Sequence, residues 1–434
     1  MDRSRYKLFS DPVHGFVSVP KGPILDLIET PAFQRLRRIR QLGLGFLVFP
    51  GAAHSRFEHA LGAMALMQEA LQTIREKGTV LTTDEEEAAL ACALLHDIGH
   101  GPFSHTLENE LIAPSDEGVS FHHEMMSRRI ITEMSEHLGG TLPLALAIFD
   151  GKYDRPFLHT LISSQLDMDR LDYLRRDSFY TGVAEGVVGV DRIIKTLRVH
   201  PVGPAGSSDL VIEAKGAYAV ESFLLSRRLM FWQVYLHKTV IAADHLLRSA
   251  IERARVCCLN NDKLGGSPDL RFFLERRVRQ DEIDDPQVAE RFARLDDTDV
   301  LYSMKEWASA SDPILADLSS RFIDRKLFRT TYLSETPTED FLADCRLRVA
   351  RWLEGRGVAS SAAAHQAAAL YVISGTARLD AYQRRKGAVH ILHRDGMVRE
   401  ISEGSDSPVA AALVGTVVKP YICAPREVSL PSLD

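Results

Sequence analysis

The sequence predicts a mainly α-helical protein that begins with a β-hairpin and ends in a smaller, mixed α/β part. Three observations support this fold class. Apolar residues recur at helical spacing through most of the first 255 residues. A short apolar–polar alternation surrounds a Pro-Val-His-Gly turn near the N-terminus. Strand-like segments separated by turn residues return only towards the C-terminus.

The composition is that of an ordinary globular protein. The 434 residues are 26% charged and 45% hydrophobic, with a formal net charge of -7. This acidic balance argues against nonspecific coating of nucleic acid, so no stable nucleic-acid binding is expected. Five scattered cysteines fit a reducing compartment. The N-terminus lacks an apolar signal core and no apolar run could span a bilayer, so we expect a cytoplasmic protein without membrane contact.

The predicted elements follow in order along the first half. The hairpin covers FSDPVHGFVSVP, and Thr30-Pro31 begins a helix that we expect to end at Gly43. The segment FEHALGAMALMQEAL reads as the next helix. Thr83 and Glu86 predict a capping box before EEAALACALLHDIG, which is apolar on nearly all sides and therefore central and buried.

The second half is predicted to be more varied. A strand pair is expected around LRVHPVG and DLVIEAK, and charged stretches such as DEIDD and RLDDTD read as loops or exposed helices. The segments LYVISGTARL, AVHILHRDGMVREIS and TVVKPYICAP predict a β-rich end. We divide the chain into a catalytic core, residues 1–255, and an extension, residues 256–434, which we expect to serve oligomerisation or regulation.

A metal site is predicted where His96-Asp97 closes the buried helix. Burying such a polar pair is costly unless it is paired or bound to a metal. A neutral nitrogen and a hard oxygen together suit Fe, Mn, Zn, Ni or Mg. Two ligands do not complete a site, and His59 and Asp169 are each weak candidates when taken singly. Several nearby histidines could act as general acids or phosphate donors: His100, His105, His122 and His123.

These segments resemble the HD superfamily of phosphohydrolases. The order FEHALG, LLHDIGHGPFSH, HHE, LDMDRLDYLRRD carries the resemblance, which runs from DPVHG at residue 11 to YLHK at residue 238. The bare H…HD…D pattern is shared by phosphodiesterases, phosphatases and nucleotidases. The longer strings VFPGAAHSRFEHALG, HDIGHGPFSH and DMDRLDYLRRD are more specific, and they resemble the deoxynucleoside triphosphate (dNTP) triphosphohydrolases, including bacterial dGTPases.

The resemblance implies a role for each matching residue. It implies an HD-domain fold with the metal in the helical core, and hydrolysis of a dNTP to a deoxynucleoside and inorganic triphosphate. The implied metal ligands are His59, His96, Asp97 and Asp169. The implied catalytic residues are His105, by the α-phosphate, with His123, Glu124 and His100. The implied substrate-binding residues are Gln41, Leu42 and Tyr235 around the sugar, Asp177 on its 3′-OH, and Arg56, Arg170, Tyr173 and Arg227 on the phosphates.

The resemblance also implies partners and a second site. A guanine nucleotide, GTP or dGTP, is a candidate effector at Glu29, Gln34 and Arg37, although a solvated basic helix face explains these residues equally well. Lys215 and Arg198 match the family's effector-phosphate residues, whereas Glu213 stands where a cation is expected. Members assemble as oligomers, so a homodimer to homotetramer is expected. The implied cofactor is one divalent transition metal (Fe, Mn, Zn or Ni), with Mg a further candidate beside the triphosphate.

Two alternatives stay open at this level. One is another HD phosphohydrolase, a nucleotidase or phosphatase. A monophosphatase would not need all four phosphate-tail residues. The other is a nucleotide-sensing or nucleic-acid-binding protein that keeps the pocket without turnover, against which the intact metal and histidine pattern counts.

Overall fold

The protein is mainly α-helical, as predicted. The computed structural model describes residues 5–202, 208–384, 387–404 and 409–431. In chain order, its α-helices are α1 Pro23–Glu29, α2 Pro31–Arg35, α3 Arg56–Glu76, α4 Thr83–Leu95, α5 Glu108–Leu111, α6 His123–Leu138, α7 Leu142–Phe149, α8 Pro156–Thr160, α9 Met168–Thr181, α10 Val190–Thr196, α11 Ala217–Met230, α12 Lys238–Leu259, α13 Pro268–Glu275, α14 Pro286–Arg294, α15 Asp297–Trp307, α16 Pro313–Ile323, α17 Glu339–Gly355, α18 Ser361–Ala367, α19 Ile401–Gly404 and α20 Val409–Ala412. No helix among these residues is long and apolar enough to cross a bilayer.

Nine strands form three small sheets in the described part of the chain. They are β1 Tyr6–Asp11, β2 Gly15–Pro20, β3 Leu197–Pro201, β4 Ser208–Glu213, β5 Arg329–Tyr332, β6 Ile373–Asp380, β7 His390–Leu392, β8 Val398–Glu400 and β9 Thr416–Ala424. The predicted N-terminal hairpin is β1–β2. The other sheets have the orders β3-β4-β7-β8 and β5-β9-β6. Because β7 pairs in parallel with β4, the C-terminal hairpin extends a sheet that the first half of the chain begins.

Helix α4, which ends directly before His96-Asp97, lies at the centre of the fold. In α4, every residue from Ala88 to Leu95 is buried, as its apolar sequence predicted. The predicted capping box is displaced by one residue, because Thr82 and Glu85 form it rather than Thr83 and Glu86. Both Thr–Glu pairs fit the sequence pattern of a capping box. The Glu85 carboxylate is buried against Arg155 and Tyr153, and these contacts favour the pair Thr82–Glu85.

The helix that begins at Thr30 is shorter than predicted. Thr30 is its N-cap and accepts a hydrogen bond from the backbone N–H of Phe33, as expected. However, α2 ends at Arg35, and one 3-10 turn carries the chain only to Arg38 rather than to Gly43. The reason is a short antiparallel pairing with the segment before α3. Within it, Arg40 bridges Ser55 and the Gln41 N–H donates to the His54 carbonyl (3.1 Å).

Three basic residues of this region, Arg35, Arg38 and Arg40, contact residues 295–297 in the second half of the chain, and Arg35 also contacts the loop after His96-Asp97. Arg35 is fully buried and donates to the carbonyls of Leu295 (2.6 Å), Ile98 and His100 (2.6 Å). Arg38 pairs with Asp296, and the Arg40 N–H donates to Asp297. The prediction that the RLDDTD stretch is exposed is therefore wrong for Asp296 and Asp297, which are buried. Their partners are distant in the sequence.

One hydrophobic core extends through both halves of the chain. It includes buried residues from Val17 to Ala424. Residue 255, where the sequence was divided, lies inside α12. The catalytic core and the extension thus share packing, and their separate roles stay predictions.

Candidate metal centre and active site

Three segments bring the predicted metal ligands together. His59 lies in the first turn of α3, His96 and Asp97 directly follow α4, and Asp169 lies in the first turn of α9. The Nε2 atom of His59 lies 3.1 Å from Asp169 Oδ1 and 3.6 Å from Asp97 Oδ2. His96 Nε2 lies 3.5 Å from an oxygen of each aspartate. Ligand atoms that bind one ion at right angles, with bonds of ~2.1 Å, lie about 3 Å apart. The spacing of His59, His96 and Asp169 fits a shared ion, and Asp97 lies beside these three while paired with Arg56.

The tautomers of the two histidines also fit a metal. His59 donates its Nδ1–H to Asp172 (2.7 Å), and His96 donates its own to the Ala93 carbonyl (2.8 Å). Each ring therefore directs Nε2 to the cluster, and among the described residues neither buried Nε2 atom has a partner in hydrogen-bonding geometry. Buried polar atoms are rarely left unpaired unless a ligand satisfies them. The residues present thus fit a divalent ion of the classes named above.

The electrostatics of the cluster favour a cation. Burial lowers the pKa of His59, but the nearby carboxylates of Asp169 and Asp172 outweigh it and raise the pKa to about 10. Burial likewise lowers the pKa of His96, and Asp97 and Asp169 raise it to about 9. Burial raises the pKa of Asp97, yet Arg56 and the nearby histidines bring it well below its usual value. The carboxylates therefore stay charged and offer their oxygens to a cation, and a metal ion would replace the proton that each raised pKa keeps on Nε2.

A second group of side chains lies beside the predicted metal ligands. The rings of His100 and His123 stack with centroids 3.6 Å apart. Glu108 accepts from His123 Nδ1 (2.8 Å) and lies 3.3 Å from His105 Nδ1. The side chain of His105 is 66% exposed, so it faces the opening of the site. Burial, together with Arg56 and His123, lowers the pKa of His100 well below its usual value, which keeps this ring neutral.

A single cavity joins these groups to the predicted substrate residues. Its volume is about 490 Å³, within the roughly 300–1,000 Å³ usual for small-molecule sites. The structure brings together nearly all the predicted catalytic and substrate residues on its walls. The lining residues are Gln41, Leu42, Arg56, His96, Asp97, His100, His105, His123, Glu124, Phe149, His159, Ile162, Ser163, Asp169, Arg170, Tyr173, Asp177, Phe231 and Tyr235.

Helix α9 supplies a row of lining residues along the cavity. Asp169, Tyr173 and Asp177 follow at intervals of four, so they share one face and extend over ~12 Å of the helix axis. Asp177 accepts from His54 Nε2 (2.7 Å) and from the Tyr235 hydroxyl (2.8 Å). The far end of this row is therefore a fixed carboxylate beside an aromatic ring.

The predicted phosphate residues differ in how they are held. Arg56 pairs with Asp97, and its Nε–H donates to Ser104 (2.8 Å). Arg170 pairs with Asp167, while its Nε–H finds no acceptor among the described residues. Arg227 does not line the cavity, but it lies close enough to Tyr173 for its charge to oppose the effect of burial, which raises the pKa of that phenol. The Nε and Nη1 atoms of Arg227 are likewise buried without acceptors in the described part of the chain.

The predicted effector residues lie apart from the cavity walls. Glu29 pairs with Lys7 (3.1 Å), and the Arg37 Nε–H donates to Gln34 (2.8 Å) while its guanidinium lies over the Phe57 ring. The cations matched to effector phosphates already have an anionic partner. Glu213 contacts Lys215 at 2.7 Å, Lys77 at 3.1 Å and Arg198 at 3.6 Å.

Several residues that sequence reasoning missed contribute to the site. They are Glu108, Asp172, His54, Asp167 and Ser104, which hold the predicted residues, and Phe149, His159, Ile162, Ser163 and Phe231, which line the cavity. Asp167 and Asp172 lie inside the quoted DMDRLDYLRRD string, so their positions next to Asp169 were the available signal. His54 and Ser104 likewise lie inside the quoted strings VFPGAAHSRFEHALG and HDIGHGPFSH, whereas the remaining residues lie outside every quoted string.

Comparison with known protein families identifies two matching regions. Residues 56–174 match the HD domain, and residues 188–264 match the HD associated region. The HD match begins at Arg56 and therefore contains every predicted metal ligand. The second match ends at residue 264, beyond the end of α12 and nine residues after 255.

Relatives and solved structures agree with this. A phosphohydrolase structure from Bacteroides thetaiotaomicron is 41% identical, with a TM-score of 0.88 over 97% of this chain and 100% of that one. An uncharacterized protein of Bacillus subtilis is 37% identical over 78% of this chain and 75% of its own. The deoxynucleoside triphosphate triphosphohydrolase SAMHD1 of Gallus gallus is 28% identical, and the match covers 57% of this chain and 45% of that protein. The chain thus spans about half the length of that triphosphohydrolase.

Proposed function

Because this chain belongs to the HD-domain phosphohydrolases, we propose that it hydrolyses dNTPs to a deoxynucleoside and inorganic triphosphate. Relatives named as dNTP triphosphohydrolases, at 26–29% identity, support this substrate class. The proposal rests chiefly on one observation: guanidinium nitrogens of Arg170 and Arg227 are buried without acceptors in the described part of the chain.

Those guanidinium groups need an anion with many oxygens. Arg170 Nε and Arg227 Nε and Nη1 are buried donors without acceptors in the described structure. An unmet buried donor costs about 1–3 kcal/mol, so the apo arrangement stays costly until a ligand supplies oxygens. A triphosphate offers acceptors to several such forks at once, whereas a monophosphate could not satisfy both arginines and the metal ligands together.

The metal ligands of this chain are proposed to be His59, His96, Asp97 and Asp169. When bound, a divalent ion would polarise the phosphoryl oxygen and lower the pKa of water. The protein's own contribution is to fix the ligands. Arg56 would help by holding the Asp97 carboxylate in place and presenting its remaining N–H groups to the α-phosphate.

His105 is proposed as the proton donor to the leaving 5′-oxygen. Its exposed ring faces the cavity, and Glu108 holds Nδ1, so Nε2 is available for the proton. His123 shares Glu108 and would relay the proton, with Glu124 at the cavity wall. The neutral His100 ring supports His123 by stacking.

The sugar end of the cavity is proposed to select deoxyribose. Tyr235 would pack against the ring, with Gln41 and Leu42 on the other side and Asp177 accepting from the 3′-OH. A 2′-OH would meet the aromatic wall without a partner. That penalty is about 1–3 kcal/mol, or roughly tenfold to hundredfold discrimination against NTPs.

Two further features are proposed with the activity. Glu29, Gln34 and Arg37 would read a guanine nucleotide by paired hydrogen bonds. Because Glu213 already neutralises Lys215 and Arg198, we expect this effector site to depend on the base more than on the phosphates. A homodimer to homotetramer is the proposed assembly.

A panel of the four dNTPs, each with and without GTP, tests the proposal in wild type and in an Ala-Ala variant of His96-Asp97. We expect the wild type alone to release deoxynucleoside and inorganic triphosphate, in a reaction that depends on the metal. The variant should lose both the activity and the ion. Release of orthophosphate with a nucleoside diphosphate would instead indicate a nucleotidase or phosphatase. Nucleotide binding without any product would indicate a sensor.

A further inference from the structure

The turn of the N-terminal hairpin reaches the back of the metal centre. His14, between β1 and β2, donates its Nε2–H to Asp172 at 2.6 Å. Asp172 also accepts the Nδ1–H of the metal ligand His59 at 2.7 Å. His14 and His59, 45 residues apart in sequence, thus bind the two oxygens of one fully buried carboxylate.

Arg176 completes this network. Its Nε and Nη2 donate to the two oxygens of Asp172 at 2.8 and 3.0 Å, and its Nη1 donates to Asp11 at 2.7 Å. Asp11 in turn accepts the backbone N–H groups of Val13 and His14 and so fixes the turn. With four donors, the Asp172 carboxylate has all its lone-pair sites filled. A fully satisfied buried network is rigid, and its parts hold each other in one arrangement.

The surrounding packing leaves this carboxylate no alternative position. Gly62, on α3 one turn beyond His59, faces it directly. A Cβ atom at Gly62 would lie 1.9 Å from Asp172 Oδ1 and 2.4 Å from an Arg176 nitrogen. Only glycine allows α3 and α9 to approach closely enough for Asp172 to reach the His59 ring.

We infer that the β1–β2 turn is part of the metal centre, with His14 and Asp172 as positioning residues for the ligand His59. Asp172 fixes the His59 tautomer, so that the Nε2 lone pair faces the cluster, and it fixes the ring orientation. His14 and Arg176 hold Asp172 in place. The inference concerns metal retention and is independent of which substrate the site cleaves.

Metal affinity of the full-length chain tests this role. The protein is stripped with a chelator, and Mn²⁺ alone is titrated in while free Mn²⁺ is followed by electron paramagnetic resonance. We expect His14→Ala and Asp172→Asn to weaken Mn²⁺ binding about 10- to 100-fold, the usual effect of removing such a supporting partner. His14→Gln, whose amide can still donate to Asp172, should recover part of the loss.

Lys7→Ala is the matched control, because Lys7 lies in the same hairpin and contacts the exposed Glu29 and the Phe9 ring rather than Asp172. It should bind Mn²⁺ as the wild type does. The melting temperature of each metal-free variant separates folding from positioning. If Asp172→Asn does not fold, His14→Ala decides, since it leaves the Asp172–Arg176 pair intact.

Wild-type Mn²⁺ affinity in a folded His14→Ala variant would overturn the inference, and so would equal losses in His14→Ala and Lys7→Ala. A His14→Ala variant that melts earlier but binds Mn²⁺ normally would show a purely structural role and would overturn it too. Failure of the wild type itself to bind an ion would instead reject the proposed metal centre, and with it the proposed function.

Discussion

Removing the buried guanidinium of Arg35 should weaken both the fold and the catalytic site. The proposed change is Arg35→Met, which keeps most of the apolar stem. It deletes hydrogen bonds to the carbonyls of Ile98, His100 and Leu295. Burial lowers the pKa of Arg35 to about 10, so the group is charged at neutral pH. Three hydrogen bonds from a charged donor stabilise the fold by ~5–9 kcal/mol. The Met variant loses them, but it no longer has to bury a charge, and this offsets several kcal/mol of the loss.

The net loss should be ~2–4 kcal/mol. A chain of 434 residues has an unfolding entropy of about 0.9 kcal/mol/K, so the melting temperature should fall by ~2–4 °C. Turnover should fall at least ~10-fold, because two of the carbonyls released, those of Ile98 and His100, belong to the loop that follows the His-Asp pair. Arg37→Met is the matched control for the melting temperature, since this neighbour is exposed. Calorimetry compares the two variants, kcat/KM compares Arg35→Met with the wild type, and equal melting temperatures for the two variants would refute the reasoning.

Three further predictions concern the sugar, the effector and pH. Tyr235→Ala should narrow the dGTP:GTP ratio of kcat/KM, whereas Tyr235→Phe, which keeps the ring, should preserve it; equal rates in the wild type would contradict the sugar assignment. Arg37→Ala should abolish activation by GTP or dGTP, and a wild type that ignores both nucleotides would remove the effector site. Burial raises the pKa of Asp297 to about 6, so this carboxyl stays protonated in the folded protein where the unfolded chain has lost its proton. The free energy of unfolding should therefore fall by ~3 kcal/mol as pH rises from about 4 to 6. Urea titrations should show this decline in the wild type and lack it in Asp297→Asn.

The parts of the fold that neighbouring residues encode were predictable from the sequence. The cap at Thr30 and the hairpin turn at Asp11 depend on side chains within three residues, so the local pattern identified them. The apolar surroundings of His96-Asp97 likewise indicated burial of the pair. The end of α2 was missed because it depends on pairing between Arg40 and Ser55, a contact the helical spacing does not encode.

The supporting residues of the site could not be predicted in the same way. Glu108 and His54 look like ordinary polar residues, and only the fold places them beside His123 and Asp177. Asp296 read as solvated because Arg38, which pairs with it, is 258 residues away in the chain. A sequence pattern identifies groups that need partners, whereas the fold determines which partners they find.

The central claim, water attack at the α-phosphorus of a dNTP, is tested most directly by hydrolysis in ¹⁸O-labelled water. Mass spectrometry of both products locates the label. We predict one ¹⁸O atom in inorganic triphosphate and none in the deoxynucleoside, because the bond from phosphorus to the 5′-oxygen breaks. Label in orthophosphate, with a nucleoside diphosphate as the other product, would contradict the account.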